Sequence, residues 1–175
     1  RREEADCETE TKKTVEKNST GKECSISASV QSKAQLEAAV NSGVRCVYLD
    51  EEIEFERENG VQYFLAMPYI FRERAMNIYK VYFGKISQYY EGVLVRNWEA
   101  LEWMKSKGYK GEILSDYNLY GWNNRAIKEL SELGIDQYTS SIELNFRELS
   151  ELSTGGNLIV YGYQPVMITA NCIRR

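Results

Sequence analysis

The chain has 175 residues, with 22 Lys+Arg against 26 Asp+Glu and no His, for a formal charge of -4 at pH 7. One globular domain is the default at this length, and a slight acidic excess argues against a surface built to coat nucleic acid. Without histidine there is no Ser-His-Asp or Cys-His pair, no His-rich zinc site and no imidazole base, so chemistry here must use carboxylates, Lys, Tyr, Cys or a cofactor.

Residues 1–24 carry 6 Lys/Arg and 7 Asp/Glu, and only Ala5, Cys7, Val15 and Cys24 are apolar. That is too little apolar surface to offset the entropy of ordering, so a charged linker or flexible leader is expected, followed by a domain over residues 25–175. The first residue is Arg1 rather than Met, as expected of a piece of a longer protein. No apolar stretch approaches the roughly 20 residues of a membrane span. The four cysteines, Cys7, Cys24, Cys46 and Cys172, form no CxxC pair and are too sparse for a disulfide scaffold. They read as reduced thiols in a cytoplasmic setting.

Beyond the leader, Ile26–Val30 alternates Ser with apolar residues and predicts a strand. Ser32 or Gln31 then opens a helix carrying Leu36, Ala39 and Val40, with Gly43 at its exit. Val44–Leu49 is a near-continuous apolar run, as in a parallel strand covered on both faces. Val61–Met67 predicts a third strand, closed by Pro68. Phe71, Ala75, Ile78, Tyr79, Tyr82 and Ile86 trace one face of a long helix.

The second half is more regular. Gly92 precedes a strand at Val93–Val95, and Asn97 caps a helix with Leu101 and Met104. Gly111 precedes Ile113–Ser115, and Asn123 or Asn124 caps a helix with Ile127, Leu130 and Leu133. Gly134 precedes Gln137–Thr139, and Asn145 caps a helix with Phe146, Leu149 and Leu152, Glu148 completing a capping box. Gly156 precedes a last strand at Leu158–Tyr161. These glycines are 19, 23 and 22 residues apart, the period of a strand, a turn and a helix.

No GxGxxG or GxxxxGK[ST] turn accompanies the alternation, so the classical nucleotide folds lack their phosphate loop. Minimal βα repeats predict an α/β fold of (β/α) TIM-barrel type, complete or partial. Chemistry in such folds sits at the strand carboxyl ends. The polar residues placed there are Asp50, Glu51, Arg96, Asp116, Glu143, Tyr163 and Gln164, and Arg96, Asp116 and Glu143 are expected to share one mouth. The alternative for each is structural. Asp116 caps a turn, Glu143 pairs with Arg147, and Arg96 covers apolar surface with its stem. Trp98, Trp103 and Trp122 are expected to shield the barrel rims.

The segments SVQSKAQLEAAVNSGVRCVYLD, EGVLVRNWEALEWMKSKGYKGEILSDYNLYGWNNRAIKELSELGID, SSIELNFREL and LIVYGYQPVMITANC carry a family resemblance. From Ile26 to Arg175 the chain resembles peptidase family U-32, the collagenase-like peptidases, in their long multi-domain form. The most specific matches are Glu143 and the set Gly162, Pro165, Met167 and Cys172. The resemblance implies a βα-barrel core and peptide hydrolysis, with Asp116 and Glu143 as catalytic residues and Arg96, Asn118 and Asn123 binding substrate. Several members instead resemble iron–sulfur RNA-modifying hydroxylases or ubiquinone-hydroxylation factors, whose cluster cysteines begin at the position matching Cys172 and continue beyond it. Such a cluster needs companion cysteines outside this chain. A substrate-binding barrel without catalysis is the third reading. The implied partners are the rest of a longer chain and a peptide or RNA substrate, with no membrane. Asn171 stands where many members have His, and Asn118 where many have Gln.

Overall fold

The computed structural model describes residues 25–50, 53–135, 137–152 and 156–169. The expected leader, residues 1–24, and Cys172 lie outside them. The elements run β1 (Ser27–Val30), α1 (Lys33–Asn41), β2 (Cys46–Leu49), β3 (Gln62–Ala66), α2 (Glu73–Tyr89), β4 (Gly92–Val95), α3 (Trp98–Ser106), β5 (Glu112–Ser115), a 3-10 turn (Tyr117–Leu119), α4 (Asn124–Glu132), β6 (Gln137–Tyr138) and α5 (Phe146–Glu151). The six strands pair in chain order, all parallel, and the sheet curls into a half-barrel.

Apart from α2, which starts after Arg72 with no side-chain cap, each described α-helix starts where a short polar side chain satisfies a free backbone N–H. Ser32 accepts from Gln35 N, Asn97 from Ala100 N at 2.8 Å and Asn123 from Ala126 N at 2.9 Å. Asn145 and Glu148 form the reciprocal capping box expected from their spacing. Gly43 follows α1 at φ 90, a backbone state that a Cβ would oppose.

Strand alternation sorts the core into two faces. On the outer face Val47, Leu49, Tyr63, Leu65, Val93 and Val95 meet helix residues, Leu36 and Val40 at one end, Tyr79, Ile86, Leu101, Trp103, Met104 and Leu130 at the other. Among the described residues no helix covers the inner face. There Tyr48, Phe64, Ala66, Leu94 and Leu114 bury one another, with Cys46 at their edge, because the curled sheet folds these side chains together. Gly92 permits the closest approach in this face. A Cβ there would run into the Glu112 carbonyl oxygen and come within 2.9 Å of Phe64 Cε1.

Three expectations need correction. Leu158–Tyr161 forms no strand: only Asn157 bridges to the sheet, in parallel to Thr139, and Leu158, Val160 and Tyr161 are exposed. A strand needs lateral partners and a covered face, and this run has one rung and no cover. The buried face of α2 is Tyr79 and Ile86, with Phe83 packed beside them, whereas Ile78 and Tyr82 point outward. Trp103 is not a rim shield either; it is buried in the outer core against Phe71, Tyr79 and Phe83. Among the described residues no helix is long and apolar enough to cross a membrane.

A Gly92→Ala substitution is expected to cost about 1–3 kcal/mol through overpacking, read as a lowered urea midpoint at unchanged slope. Wild-type stability in that variant would show that β4 and β5 separate freely.

Candidate functional site

The pairing register places a polar layer directly above the apolar inner floor. Asp50 lies two residues beyond Tyr48, Arg96 two beyond Leu94, and Asp116 two beyond Leu114. A spacing of two returns a side chain to the same sheet face. All three therefore stand over the inner face at the carboxyl ends of β2, β4 and β5.

Arg96 is the centre of this layer, with a side chain only 6% exposed. Its Nε donates to Asp116 Oδ2 at 3.0 Å, and one terminal nitrogen lies 3.4 Å from both Asp50 Oδ1 and the Met67 carbonyl oxygen. Its guanidinium carbon sits 4.3 Å from the centre of the Tyr69 ring, a cation–π contact. Burial works to lower the Arg96 pKa, but Tyr69, Asp116 and Asp50 outweigh it and the net direction is upward.

Asn97 holds this arrangement from the side. While its Oδ1 caps α3, its Nδ2 donates to the carbonyls of Pro68 and Tyr69 at 2.9 and 3.1 Å. That fixes the β3–α2 loop so that the Tyr69 ring meets Arg96. Asp116 also serves twice, because its Oδ1 accepts from Tyr117 N at 2.8 Å and so starts the 3-10 turn. Tyr117 lies beside Tyr69 and Asn118. Burial first, then Tyr69 and Asp116, pushes its phenol up to about 12. The Oδ1 of Asn118 is buried and has no hydrogen-bond partner among the described residues.

Next to this layer the chain makes a tight turn. Tyr120 adopts the left-handed region at φ 56 and ψ 54, a strain of about 1–2 kcal/mol for a residue with a Cβ. The turn is held by Tyr120 N to Tyr117 O at 3.1 Å and Trp122 N to Tyr120 O at 2.8 Å. The Tyr120 and Trp122 rings meet edge to face, centroids 5.7 Å apart, and with Glu143 they line an open pocket of about 510 Å³.

The three residues expected to converge thus divide. Arg96 and Asp116 are in direct contact, and Asp50 joins them. Glu143 is at the same end of the sheet, in the β6–α5 loop, but faces the aromatic pocket. It does not pair with Arg147, which bonds Glu151 at 3.5 Å. Asn123 is engaged in capping α4, so its side-chain oxygen is already used. Tyr163 and Gln164 are exposed beyond the last bridge, and Glu51 lies outside the described residues. Tyr69, Tyr117, Tyr120 and Trp122 were not marked as site residues by the sequence. Nothing in a Tyr-Gly pair says that the tyrosine, rather than the glycine, takes the left-handed state.

An iron–sulfur cluster finds no holder among the described residues. Cys46 is the one free thiol there, partly buried on the inner face with its pKa raised by burial, and no group of three His, Cys, Asp or Glu is placed to bind a metal. Comparison with family models, with curated proteins and with solved structures returns no match to this chain.

Two outcomes follow for the polar layer. Asp116→Ala leaves Arg96 buried with one carboxylate fewer and is expected to cost about 3–5 kcal/mol in chemical denaturation, whereas Arg96→Met combined with Asp116→Leu recovers most of that loss. Equal losses in the single and double variants would remove the ion pair from the account. The second outcome concerns pH. Tyr117 has a folded pKa near 12 against an ordinary 10.0, so its protonated form is favoured by the fold. Its contribution is complete below pH 10 and is lost as the pH rises from about 10 to about 12. Tyr117→Phe should make that part of the stability–pH curve less steep, the raised phenol of Tyr109 keeping part of the slope, measured by urea unfolding at each pH.

Proposed function

We propose that this chain is the substrate-binding part of a TIM-type barrel in a U-32 collagenase-like peptidase, and that its strand-end mouth binds an extended peptide. The barrel reading is supported by the stagger of the strands. Ser29, Tyr48, Phe64, Gly92 and Glu112 form one row of paired residues. Relative to it β1, β2 and β3 start two residues early, β4 and β5 start on it, and β6 starts two residues late. The bridge of Asn157 to Thr139 lies four residues late. Six residues of climb over six strand-to-strand steps is the stagger that a closed barrel of eight strands and shear 8 spreads around its circumference. Asn157 also reaches across the inner face to Tyr48, its Nδ2 3.4 Å from the phenol oxygen, as two residues of one barrel layer do.

The observation that carries the peptide reading is the Arg96 clamp, with Asp50 at its open side. A peptide backbone presents N–H donors at regular intervals, and the mouth offers acceptors for them. The Asp50 side chain is 36% exposed, and Arg96 contacts only its Oδ1. Binding rather than bond cleavage is assigned to these residues. Both oxygens of Asp116 accept hydrogen bonds already, so it positions Arg96. The free thiol of Cys46 agrees with a reducing, cytoplasmic setting.

The test is fluorescence anisotropy with labelled collagen-derived peptides. Saturable binding is expected, weakened about tenfold by Asp50→Ala, which removes the exposed acceptor from the mouth. Mass spectrometry of the same mixtures reads cleavage. No binding of any peptide, or saturable binding of an RNA oligomer in its place, would overturn the proposal.

A further inference from the structure

We propose that the pocket of Tyr120, Trp122 and Glu143 is a subsite for a cationic side chain, the lysine or arginine of a bound peptide. This rests on the peptide-binding reading and adds to it a choice of residue. Both rings are exposed, and because they meet edge to face at 79° the contact covers one ring face and leaves the other faces clear of it. An aromatic face carries negative charge and attracts an ammonium or guanidinium. Glu143 supplies a full negative charge on the same wall.

The surroundings favour the same sign. Arg96 is matched by Asp116 and Asp50, so with Glu143 these described residues set three carboxylates against one guanidinium at the strand-end mouth. Arg147, the basic residue four positions after Glu143, is turned to Glu151. One N–H in the first turn of each of α4 and α5 is engaged by Asn123 and Asn145. An apolar guest would cover the rings but leave the Glu143 carboxylate without a counter-charge, and an acidic guest would meet like charge.

The pocket is also built to keep its shape. Gly121 is buried between the two aromatic residues, and a Cβ on it would lie 3.3 Å from the Tyr138 ring. The turn is therefore seated on the sheet, and the hydrogen bond from Trp122 N to Tyr120 O ties its two ends. Two rings held in this way give up little freedom when a guest arrives, which favours binding.

The experiment uses three labelled peptides that differ at one central position, lysine, norleucine or glutamate, with tetramethylammonium chloride as a separate probe of the pocket. The lysine peptide is expected to bind about tenfold more tightly than norleucine, and the glutamate peptide more weakly than both. Glu143→Gln and Trp122→Ala should bring the lysine-to-norleucine ratio close to one, while Asp50→Ala weakens all three alike. Both pocket residues are exposed, and a wild-type urea midpoint in each variant confirms that it is folded. Tetramethylammonium should shift the Trp122 indole resonance in the wild type and not in Glu143→Gln. Equal affinity for lysine and norleucine overturns the cationic subsite and leaves peptide binding standing. A shifted indole with no peptide bound overturns the peptide reading and keeps the cation pocket. No response to any probe removes both.

Discussion

Burying the guanidinium of Arg96 is the constraint around which the carboxyl end of the sheet is arranged. Moving such a charge out of water costs several kcal/mol unless its donors and its charge are met. The partners come from different parts of the chain: Asp50 follows β2, Met67 follows β3, Tyr69 lies in the β3–α2 loop and Asp116 follows β5. Four strand ends are therefore fixed relative to one another by a single side chain. The apolar layer of Tyr48, Phe64, Leu94 and Leu114 beneath keeps the clamp away from bulk water and makes each of its contacts stronger.

The helices do the complementary work on the other face. Phe71, Tyr79, Phe83, Trp103 and Tyr109 form a chain of ring contacts that binds α2 to α3. Phe71 follows the loop that carries Tyr69, and Asn97 at the start of α3 holds that loop by two hydrogen bonds. The position of the ring against Arg96 is thus set by packing on the far side of the sheet. A change in the outer core would reach the site through these few residues.

Much of this was legible in the sequence. The glycine period and the Asn caps mark where strands and helices begin because a helix start needs a local acceptor whatever surrounds it. The six strands appear where the apolar runs put them, and the placement of Arg96 and Asp116 after β4 and β5 follows from counting along them. The failures lie where tertiary context decides. Leu158–Tyr161 has the composition of a strand, but composition cannot supply the neighbour a strand requires. Ile78 and Tyr82 fit a helical face as well as Phe83 does, and only the direction of approach of β4 and α3 separates them. Asn123 looked equally suited to capping and to binding, and the cap took its oxygen. The turn at Tyr120 was invisible because its backbone state is imposed by the 3-10 turn before it and by the seating of Gly121 on Tyr138.

The sign of the mouth is the least obvious consequence. A sequence with Arg96 at a strand end suggests a site for anions, such as a phosphate or a substrate carboxylate. In the fold that arginine is already answered by Asp116 and Asp50, and its side chain is almost wholly enclosed. What faces outward at the rim is the carboxylate of Glu143 beside two aromatic rings. A buried cation with two acidic partners thus leaves an acidic opening, and the charge that recruits a ligand is opposite to the charge at the centre. The guanidinium organises the site, and the rim selects what enters it.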